Sequence, residues 1–359
     1  MPTKRQKILI ISCLAGMGHV RAAQALLLSA SENHPEFDCR HIDAVDYCGP
    51  LLKTSIVDSY EILIKHWPGL FKKIFEYTDT PAGKDSFEKS IFLLQQGNKK
   101  LIDYIKDFKP DRIIVTHFLI PLLLKKFNGR FPIDMVVTDY YANLLWINPT
   151  VRHLFVATEA IKEAFKTDHP SIVVSGIPVN PRFFKPKNIP ELKKKFGLPA
   201  GKKVVLILSG GMGPIDTSTA TETILQQVKN ISVIAVAGKH NGELLEKLQK
   251  LSGGKNHYQA LSFVEKVDEL MALADIIVTK PGGLTTSEVL YLKKPLVMIN
   301  PIPGQEEKNA GFVIKHNYGC LATTTSELPG LINRILDEPN FLTKPPDLPN
   351  PNEIILTTN

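Results

Sequence analysis

The residues best suited to bind a ligand lie in glycine-rich turns, each between an apolar run and a helix-length segment. Three such turns occur: Ser12–Ala23 (SCLAGMGHVRAA), Leu208–Thr217 (LSGGMGPIDT) and Thr279–Glu288 (TKPGGLTTSE). The first backbone N–H groups of a helix are unpaired and lie at the positive end of the helix dipole. Glycine lets an anionic group approach those amides without meeting a Cβ atom. The three turns therefore predict phosphate binding at strand-to-helix junctions.

The third turn carries the fullest set of ligand-binding groups. Gly282 and Gly283 leave room for a phosphate, and Glu288, about one turn into the helix, can accept hydrogen bonds from both hydroxyls of a ribose. Hydroxyl donors beside the phosphate are Thr285, Thr286 and Ser287. No turn matches the GxGxxG dinucleotide fingerprint or the GxxxxGK[ST] P-loop, and each alone also fits an ordinary strand-to-helix turn.

His19 directly follows the first turn and is the candidate base. A neutral imidazole can take a proton from a hydroxyl group, since its unperturbed pKa lies near neutral pH. A helix-capping role is the alternative. His117 and Asp139 also follow predicted strands. Because ligands of open parallel sheets bind beyond the carboxyl ends of the strands, all three residues are expected at one edge.

Short apolar strands alternate with helix-length segments, which is typical of parallel sheets covered by helices on both faces. The predicted strands are Lys7–Cys13, Arg112–Thr116, Asp134–Thr138, Leu154–Ala157, Lys203–Leu208, Ser232–Ala237, Asp275–Thr279 and Leu296–Asn300. The predicted helices are Val20–Ser31, Ser86–Phe108, Thr217–Lys229, Glu243–Leu251, Val267–Leu273, Thr285–Leu292 and Glu307–His316.

Proline-rich stretches predict the domain organisation. Gly176–Lys203 is rich in proline and lysine and is interpreted as an exposed connector. We therefore predict an N-terminal domain over residues 1–182 and a C-terminal domain over residues 183–340. Residues 341–359 contain too many prolines for a helix and are predicted to form a loose tail.

Composition narrows the functional class. The 359 residues carry a diffuse net charge of +7, and no nucleic-acid-binding signature accompanies it, so we expect no nucleic-acid partner. The four cysteines form no CxxC pair, which favours a reducing compartment. No segment approaches the roughly 20 apolar residues that span a bilayer. The basic N-terminus imitates a signal peptide, but its short apolar run is interpreted as the first buried strand.

Leu51–Tyr77 stands apart because it mixes large apolar side chains with lysines. The lysines are Lys53, Lys65, Lys72 and Lys73. Such a segment fits an amphipathic surface lying in a membrane interface. It also fits a core-facing helix pair with solvated lysines, which the sequence alone favours.

Four segments together resemble the monogalactosyldiacylglycerol synthase family, and most closely its bacterial branch, the processive diacylglycerol glucosyltransferases. They are GMGHVRAAQAL, TDYYANLLWINPTVRHLFVATEAIKEAF, GIPVNPRF and ADIIVTKPGGLTTSEVLYLKKPLVMINPIPGQEEKNAGFV. The resemblance implies an α/β protein of GT-B fold, with two Rossmann-like domains facing across a central cleft. It implies inverting transfer of glucose or galactose from a UDP-sugar to diacylglycerol, with no metal and no cofactor besides the donor.

The resemblance also implies roles for individual residues. His19 would be the general base, Gly282 and Gly283 would contact the diphosphate, Glu288 the ribose, and the backbone at Phe263–Val264 the uracil. The implied acceptor-side residues are Gly16, Gly18, His117, Asp139, Asn143 and Trp146. The implied donor-binding residues are Gly211, Gly213, Phe263, Val264, Lys280, Pro281, Gly282, Gly283, Thr285, Glu288, Gln305, Glu306 and Asn309. Of these, Gln305, Glu306 and Asn309 would hold the sugar hydroxyls.

Two departures from the family pattern bear on function. Asn143 stands where the pattern TDxxxHxxW has histidine, and asparagine cannot act as a base. PPDLPNPNEI replaces a final helix that packs on the N-terminal domain of relatives. Alternative functions are transfer to another lipid-linked acceptor of the peptidoglycan-precursor type, or a catalytically impaired UDP-sugar-binding regulator.

The lipid substrate that the resemblance implies makes Leu51–Tyr77 a membrane-docking element. The expected partners are then a UDP-hexose, diacylglycerol or a related lipid, and a membrane surface with anionic lipids. The expected location is cytoplasmic, at the inner face of the cell membrane.

Overall fold

The computed structural model describes residues 5–49, 53–54, 58–94, 98–125, 130–165, 170–210, 216–239, 241–254 and 257–358. The chain divides into two compact units. The first unit consists of Met1–Pro181, Pro303–Gln305 and Pro349–Asn359, and the second of Arg182–Ile302 and Glu306–Leu348. The division after Pro181 lies one residue from the predicted boundary.

The first unit is built on a six-stranded parallel sheet. Its strands are β1 (Gln6–Ser12), β2 (Phe37–Asp43), β3 (Arg112–Val115), β4 (Ile133–Val136), β5 (His153–Val156) and β6 (Ser171–Val174), in the order β2-β1-β3-β4-β5-β6. Ile8–Ile11 of β1 are fully buried, which confirms β1 as the first buried strand. The strand order reverses between β1 and β3, and such switch points are where ligands bind in open α/β sheets.

The second unit is also a six-stranded parallel sheet. Its strands are β7 (Lys203–Leu208), β8 (Ile231–Val236), β9 (Tyr258–Leu261), β10 (Ile276–Thr279), β11 (Leu296–Ile299) and β12 (Gly319–Ala322), in the order β12-β11-β10-β7-β8-β9. Counted from β7, this is the Rossmann order, and its switch point lies between β7 and β10. Two Rossmann-like α/β units were predicted, and both are confirmed.

Helices cover the faces of the two sheets. Those that precede the division after Pro181 are α1 (Met17–Asn33), α2 (Ala44–Tyr47), α3 (Ser59–His66), α4 (Pro68–Thr78), α5 (Pro81–Leu94), α6 (Lys99–Phe108), α7 (Leu119–Leu123) and α8 (Glu159–Ala164). Those that follow it are α9 (Ile189–Lys195), α10 (Thr217–Gln227), α11 (Gly242–Lys250), α12 (Val267–Leu273), α13 (Gly283–Tyr291), α14 (Gln305–Lys315), α15 (Leu328–Asp337) and α16 (Pro351–Thr357). Among the residues described, every helix is too short or too polar to span a bilayer.

The packing of α1 shows why its sequence is helical. Ala22, Ala23, Leu26 and Ala30 recur at helical spacing, and all four are buried. This apolar stripe packs on Ile8 and Ile10 of the sheet, and two polar residues of the helix, His19 and Ser29, are buried as well. The long helical stretch predicted over Ser86–Phe108 is divided between two helices, α5 and α6.

The predicted exposed connector is wrong for most of its length. Asn188 caps α9 by accepting a hydrogen bond from the Glu191 amide, and Leu192 of the helix is buried. Lys187 forms an ion pair of 2.9 Å with the largely buried Asp268, beside α12. Residues 182–202 are therefore a folded part of the second unit.

The predicted loose tail is also wrong, since the chain ends in helix α16. Asn350 caps the helix, and Pro351 occupies its first turn, where proline removes no helical hydrogen bond. Ile355 and Leu356 are buried in the first unit. The Arg112 guanidinium donates to the carbonyl oxygens of Leu356 at 2.9 Å and Ile355 at 2.8 Å. The prediction that a final helix is missing is therefore wrong.

We expect Ile355→Ala to lower the free energy of unfolding of the first unit by about 2–4 kcal/mol, because a buried side chain would leave a cavity. The matched control is Ile354→Ala, which truncates a half-buried neighbour of the same type and should cost about 1 kcal/mol or less. Both tryptophans, Trp67 and Trp146, belong to the first unit, so tryptophan fluorescence during urea denaturation follows that unit. Equal losses for the two variants would contradict the burial of α16.

Candidate active site

A cavity of about 230 Å³ lies in the first unit beside the switch point between β1 and β3. Its walls come from the segments that follow β1, β3 and β4 and from helices α3 and α4. The predicted site residues that line it are His19, His117, Asp139, Asn143, Trp146 and Gln305. The remaining lining is mostly aliphatic and aromatic. The structure therefore brings together, around one apolar cavity, side chains that are widely separated in sequence.

His19 lies in the first turn of α1 and is only 7% exposed. Its Nδ1 lies 2.6 Å from the carbonyl oxygen of Thr116. Because a carbonyl oxygen only accepts, Nδ1 carries the proton and Nε2 keeps its lone pair. The hydroxyl of Thr138 lies 3.1 Å from the same Nδ1. Burial lowers the pKa of His19 to about 4, which favours a neutral imidazole with a free basic nitrogen.

His117 has the opposite tautomer. Its Nδ1 accepts a hydrogen bond from the Leu119 amide at 3.1 Å, so the proton of the neutral ring sits on Nε2. The ring meets that of His19 edge-on, with centroids 4.4 Å apart. Burial, and then the neighbouring His19, hold the pKa of His117 well below its usual value. The cavity therefore contains one imidazole that can accept a proton and one that can donate a hydrogen bond.

Asp139 and Gln305 form a hydrogen-bonded pair at the cavity. Gln305 Nε2 donates to Asp139 Oδ2 at 2.6 Å, and the hydroxyl of Tyr60 donates to Gln305 Oε1 at 3.4 Å. Gln305 was predicted to hold sugar hydroxyls, and here both ends of its amide bond residues of the first unit. Gly304, with φ +82°, packs so closely on Phe75 that a Cβ would lie 3.0 Å from the ring.

The two glycines of the first turn take different positions. Gly16 precedes α1 with φ +105°, a conformation that favours glycine. Gly18 lies inside the first helical turn, since α1 begins at Met17 and not at Val20 as predicted. This earlier start is what places His19 at the cavity.

In the second unit, the predicted phosphate site lies beside the switch point between β7 and β10. Gly282 precedes α13 without a side-chain cap. Among the residues described, the amides of Gly283, Leu284 and Thr285 have no hydrogen-bond acceptor. These unpaired donors make the start of α13 suited to an anion.

Lys280 precedes this helix start and is 5% exposed. Burial lowers its pKa, and the charge of Glu306 opposes that shift. Gly210, with φ +76°, lies against the Lys280 side chain, so a Cβ there would be 3.7 Å from Lys280 Cδ. The end of β7 and the end of β10 therefore meet at the candidate phosphate site. Gly211 and Gly213, also predicted to border the phosphates, lie outside the described residues.

The three predicted hydroxyl donors differ in burial and hydrogen bonding. Ser287 donates to the carbonyl oxygen of Gly283 at 2.9 Å, within the helix. Thr286 is fully buried, and its hydroxyl has no partner among the described residues. Thr285 is half-buried and is the one of the three whose side chain remains partly accessible.

The other predicted donor-binding residues differ in exposure. Glu288 and Asn309 are buried, as is Pro281. Glu306 is half-buried and accepts a hydrogen bond from the Ile302 amide at 2.7 Å. Phe263 is exposed and Val264 half-buried. Their donor-binding roles remain predictions.

Sequence reasoning missed four residues that shape the cavity. Thr116 and Thr138 hold the His19 ring, and Tyr60 and Phe75 contact the Gly304–Gln305 segment. Thr116 directly follows β3 and Thr138 lies two residues after β4, so the position just after a strand, which selected His117 and Asp139, also selects these threonines. Tyr60 and Phe75 carried no such signal.

Two family models match the chain, one in each unit. Residues 19–179 match the model described as monogalactosyldiacylglycerol (MGDG) synthase, and residues 209–345 match the glycosyltransferase family 28 C-terminal domain. The solved structure of MurG from Acinetobacter baumannii superposes with a TM-score of 0.61 at 16% identity, covering 98% of both chains. The family models and the fold together define a glycosyltransferase of the GT-B fold, as predicted.

Curated relatives narrow this class to a family. The processive diacylglycerol beta-glucosyltransferase of Bacillus pumilus (strain SAFR-032) is 31% identical over 326 residues, covering 88% of this chain and 82% of the relative. That of Bacillus subtilis (strain 168) is 28% identical and covers 98% of this chain and 94% of the relative. The chain therefore belongs to the family of the processive diacylglycerol glucosyltransferases, which confirms the resemblance seen in its motifs.

We expect the imidazole of His19 to stay neutral between about pH 8 and pH 5, because burial opposes protonation. Histidine-labelled protein should show a His19 resonance with no chemical-shift change over this range, assigned by its loss in His19→Gln. His34 is the internal control: burial lowers its pKa, but Glu36 and Glu353 outweigh burial and raise it, so its ring should gain a proton at a higher pH than that of His19. A His19 midpoint near the ordinary value of about 6.5 would contradict the buried, neutral state.

Proposed function

We propose that this chain transfers a hexose from a UDP-sugar to diacylglycerol with inversion at the anomeric carbon. The observation that carries the proposal is the buried, neutral His19, whose basic nitrogen belongs to an apolar cavity of the first unit. An apolar cavity suits the glycerol end of a lipid, and a free imidazole nitrogen suits its hydroxyl group. The name of the relatives supports diacylglycerol as acceptor and favours glucose over galactose.

On the acceptor side, His19 acts as general base. Nε2 takes the proton of the acceptor hydroxyl while the oxygen attacks the anomeric carbon from the face opposite UDP. The bond from that carbon to the diphosphate breaks, and its electron pair leaves with UDP. The Thr116 carbonyl accepts a hydrogen bond from Nδ1 throughout, so it holds the ring and stabilises the imidazolium that forms.

On the donor side, the start of α13 receives the diphosphate. The amides of Gly283, Leu284 and Thr285 point their partial positive charge toward the leaving group as its negative charge grows. The Lys280 ammonium, held beside the same turn, adds a full charge. In this proposal the amides and Lys280 stabilise the leaving diphosphate without a metal ion. Glu288 binds the ribose.

Helices α3 and α4 dock the first unit on a membrane. Of the Leu51–Tyr77 segment, residues 53–54 and 58–77 are described. The exposed large apolar side chains on the two helices and between them are Ile62, Trp67, Leu70, Ile74 and Tyr77. Lys65 and Lys73 are exposed among them, which suits anionic lipids. Ile64 and Phe71 of the same helices are buried. The buried side chains fit a core-facing helix pair, and the exposed ones support docking on a membrane.

The test of the activity is glycolipid formation. Purified protein incubated with diacylglycerol vesicles and UDP-glucose, in the presence of EDTA, should release UDP and yield a lipid heavier by one or more hexoses by mass spectrometry. His19→Gln keeps a side chain of similar size but no base, so turnover should fall by about 10²-fold or more.

UDP binding, measured by calorimetry, should remain within a few-fold of wild type in His19→Gln. His41→Gln is the control, because His41 is a histidine of the same unit that does not line the cavity. UDP-galactose in place of UDP-glucose identifies the hexose. Absence of glycolipid with every donor would refute the enzyme, and undiminished turnover of His19→Gln would remove His19 from the base role.

We expect the Trp67→Ala/Leu70→Ala double variant to partition about tenfold more weakly onto vesicles that contain anionic lipid, since it loses exposed apolar surface. Leu28→Ala is the matched control: Leu28 is 39% exposed on α1, against 48% for Leu70, and should change partitioning less than about twofold. Vesicle co-sedimentation measures both. Equal effects of the two replacements would argue against docking through α3 and α4.

A further inference from the structure

Asn143, which replaces the histidine of the family pattern, uses all its polar atoms inside the first unit. Its Nδ2 donates to the Phe75 carbonyl oxygen at 3.1 Å and to the Thr78 hydroxyl at 3.2 Å. Its Oδ1 accepts a hydrogen bond from the Leu145 amide at 2.8 Å. Phe75 and Thr78 belong to the last turn of α4, so one side chain joins this helix to the segment after Asn143.

A second side chain makes the same connection. Asp79, just after α4, accepts a hydrogen bond from the Leu144 amide at 2.8 Å through Oδ1. Its Oδ2 accepts another from the Tyr141 hydroxyl. Burial, and then Asp79, raise the pKa of Tyr141, which keeps this hydroxyl protonated as a donor. Residues 141–145 are thus tied to the end of α4 by several hydrogen bonds.

The joined elements have different tasks in the proposed reaction. Helix α4 presents Leu70, Ile74 and Tyr77 to solvent, where they would meet lipid. The segment that Asn143 caps carries Trp146, which lines the cavity with its ring centroid 6.2 Å from that of His19. A displacement of α4 would therefore displace a wall of the cavity next to the base.

We propose that Asn143 is a positioning residue that fixes the lipid-docking helix α4 to the cavity wall beside His19, and that it replaces a hydrogen-bonding group and not a second base. The inference rests on the proposed glycosyl transfer. It also explains the departure from the family pattern. A neutral histidine can accept at Nδ1 and donate at Nε2, as asparagine does with Oδ1 and Nδ2, whereas aspartate can only accept.

Three variants separate positioning from chemistry. Asn143→Asp keeps the acceptor for the Leu145 amide but loses both donations to α4, Asn143→His keeps one acceptor and one donor, and Asn143→Ala loses everything. With diacylglycerol vesicles and UDP-glucose, we expect kcat to fall about tenfold or more for the aspartate and alanine variants. We expect KM for UDP-glucose to stay within about twofold, and the histidine variant to recover at least half of the wild-type kcat.

The matched control is Asn148→Ala. Asn148 is equally buried and caps a nearby turn by accepting from the Thr150 amide at 3.0 Å. Its loss should leave kcat within about twofold. If position 143 served as a base, the kcat values would follow a different order. The aspartate and histidine variants would then both be at least as active as the wild type. That order, or a histidine variant more than about tenfold faster than wild type, would overturn the proposal.

Hydrogen exchange tests the connection without any activity. Backbone amides of Phe71–Thr78 should exchange faster in Asn143→Asp than in wild type or Asn148→Ala. Unchanged exchange would overturn the positioning role even if glycolipid is made. Conversely, a wild-type protein that makes no glycolipid would refute the proposed function, while faster exchange in Asn143→Asp would still support the connection to α4.

Discussion

The hydrogen bond from His19 Nδ1 to the Thr116 carbonyl oxygen is the contact on which the candidate active site depends. It joins the first turn of α1 to the residue that follows β3. The two can meet only because β1 and β3 are neighbours in the sheet although helices and a strand separate them in sequence. The bond selects the tautomer, aims the free nitrogen and, with burial, keeps the ring uncharged. Strand order therefore determines the chemistry of a single imidazole.

The hydrophobic runs in the sequence predicted the central strands of both sheets but did not reveal the edge strands. The eight predicted strands correspond to β1, β3, β4, β5, β7, β8, β10 and β11. The four that were missed, β2, β6, β9 and β12, are the outer strands of the two sheets. An edge strand is covered less completely, so it needs less apolar sequence; β2 reads FDCRHID and is mostly half-buried. The prolines near α9 and α16 led to the wrong predictions of a connector and a loose tail. Both helices accommodate proline, because it lies in their first turn.

The site was predicted unevenly, for physical reasons. His19, His117 and Asp139 follow strands of one sheet, so topology alone brings them together. Asn143 and Trp146 entered through the family pattern, since nothing in their local sequence points to a cavity. The contact of Gln305 with Asp139 spans 166 positions and depends on how the chain returns to the first unit, which no local pattern encodes. The hydrogen bonds of Asn143 to α4 could not be predicted from the sequence either, because their acceptors are a backbone carbonyl and a threonine hydroxyl.

The last helix has a consequence for dividing this protein at its unit boundary. Helix α16 supplies Ile355 and Leu356 to the core that contains Ile8 and Ile10 of β1. It also supplies the two carbonyl oxygens that satisfy Arg112, a guanidinium otherwise paired with the buried Asp134. A gene fragment that stops at Pro181 would encode a sheet with part of one face uncovered and a buried cation short of acceptors. An autonomous first unit needs the final eleven residues, Pro349–Asn359, joined back to it through a linker.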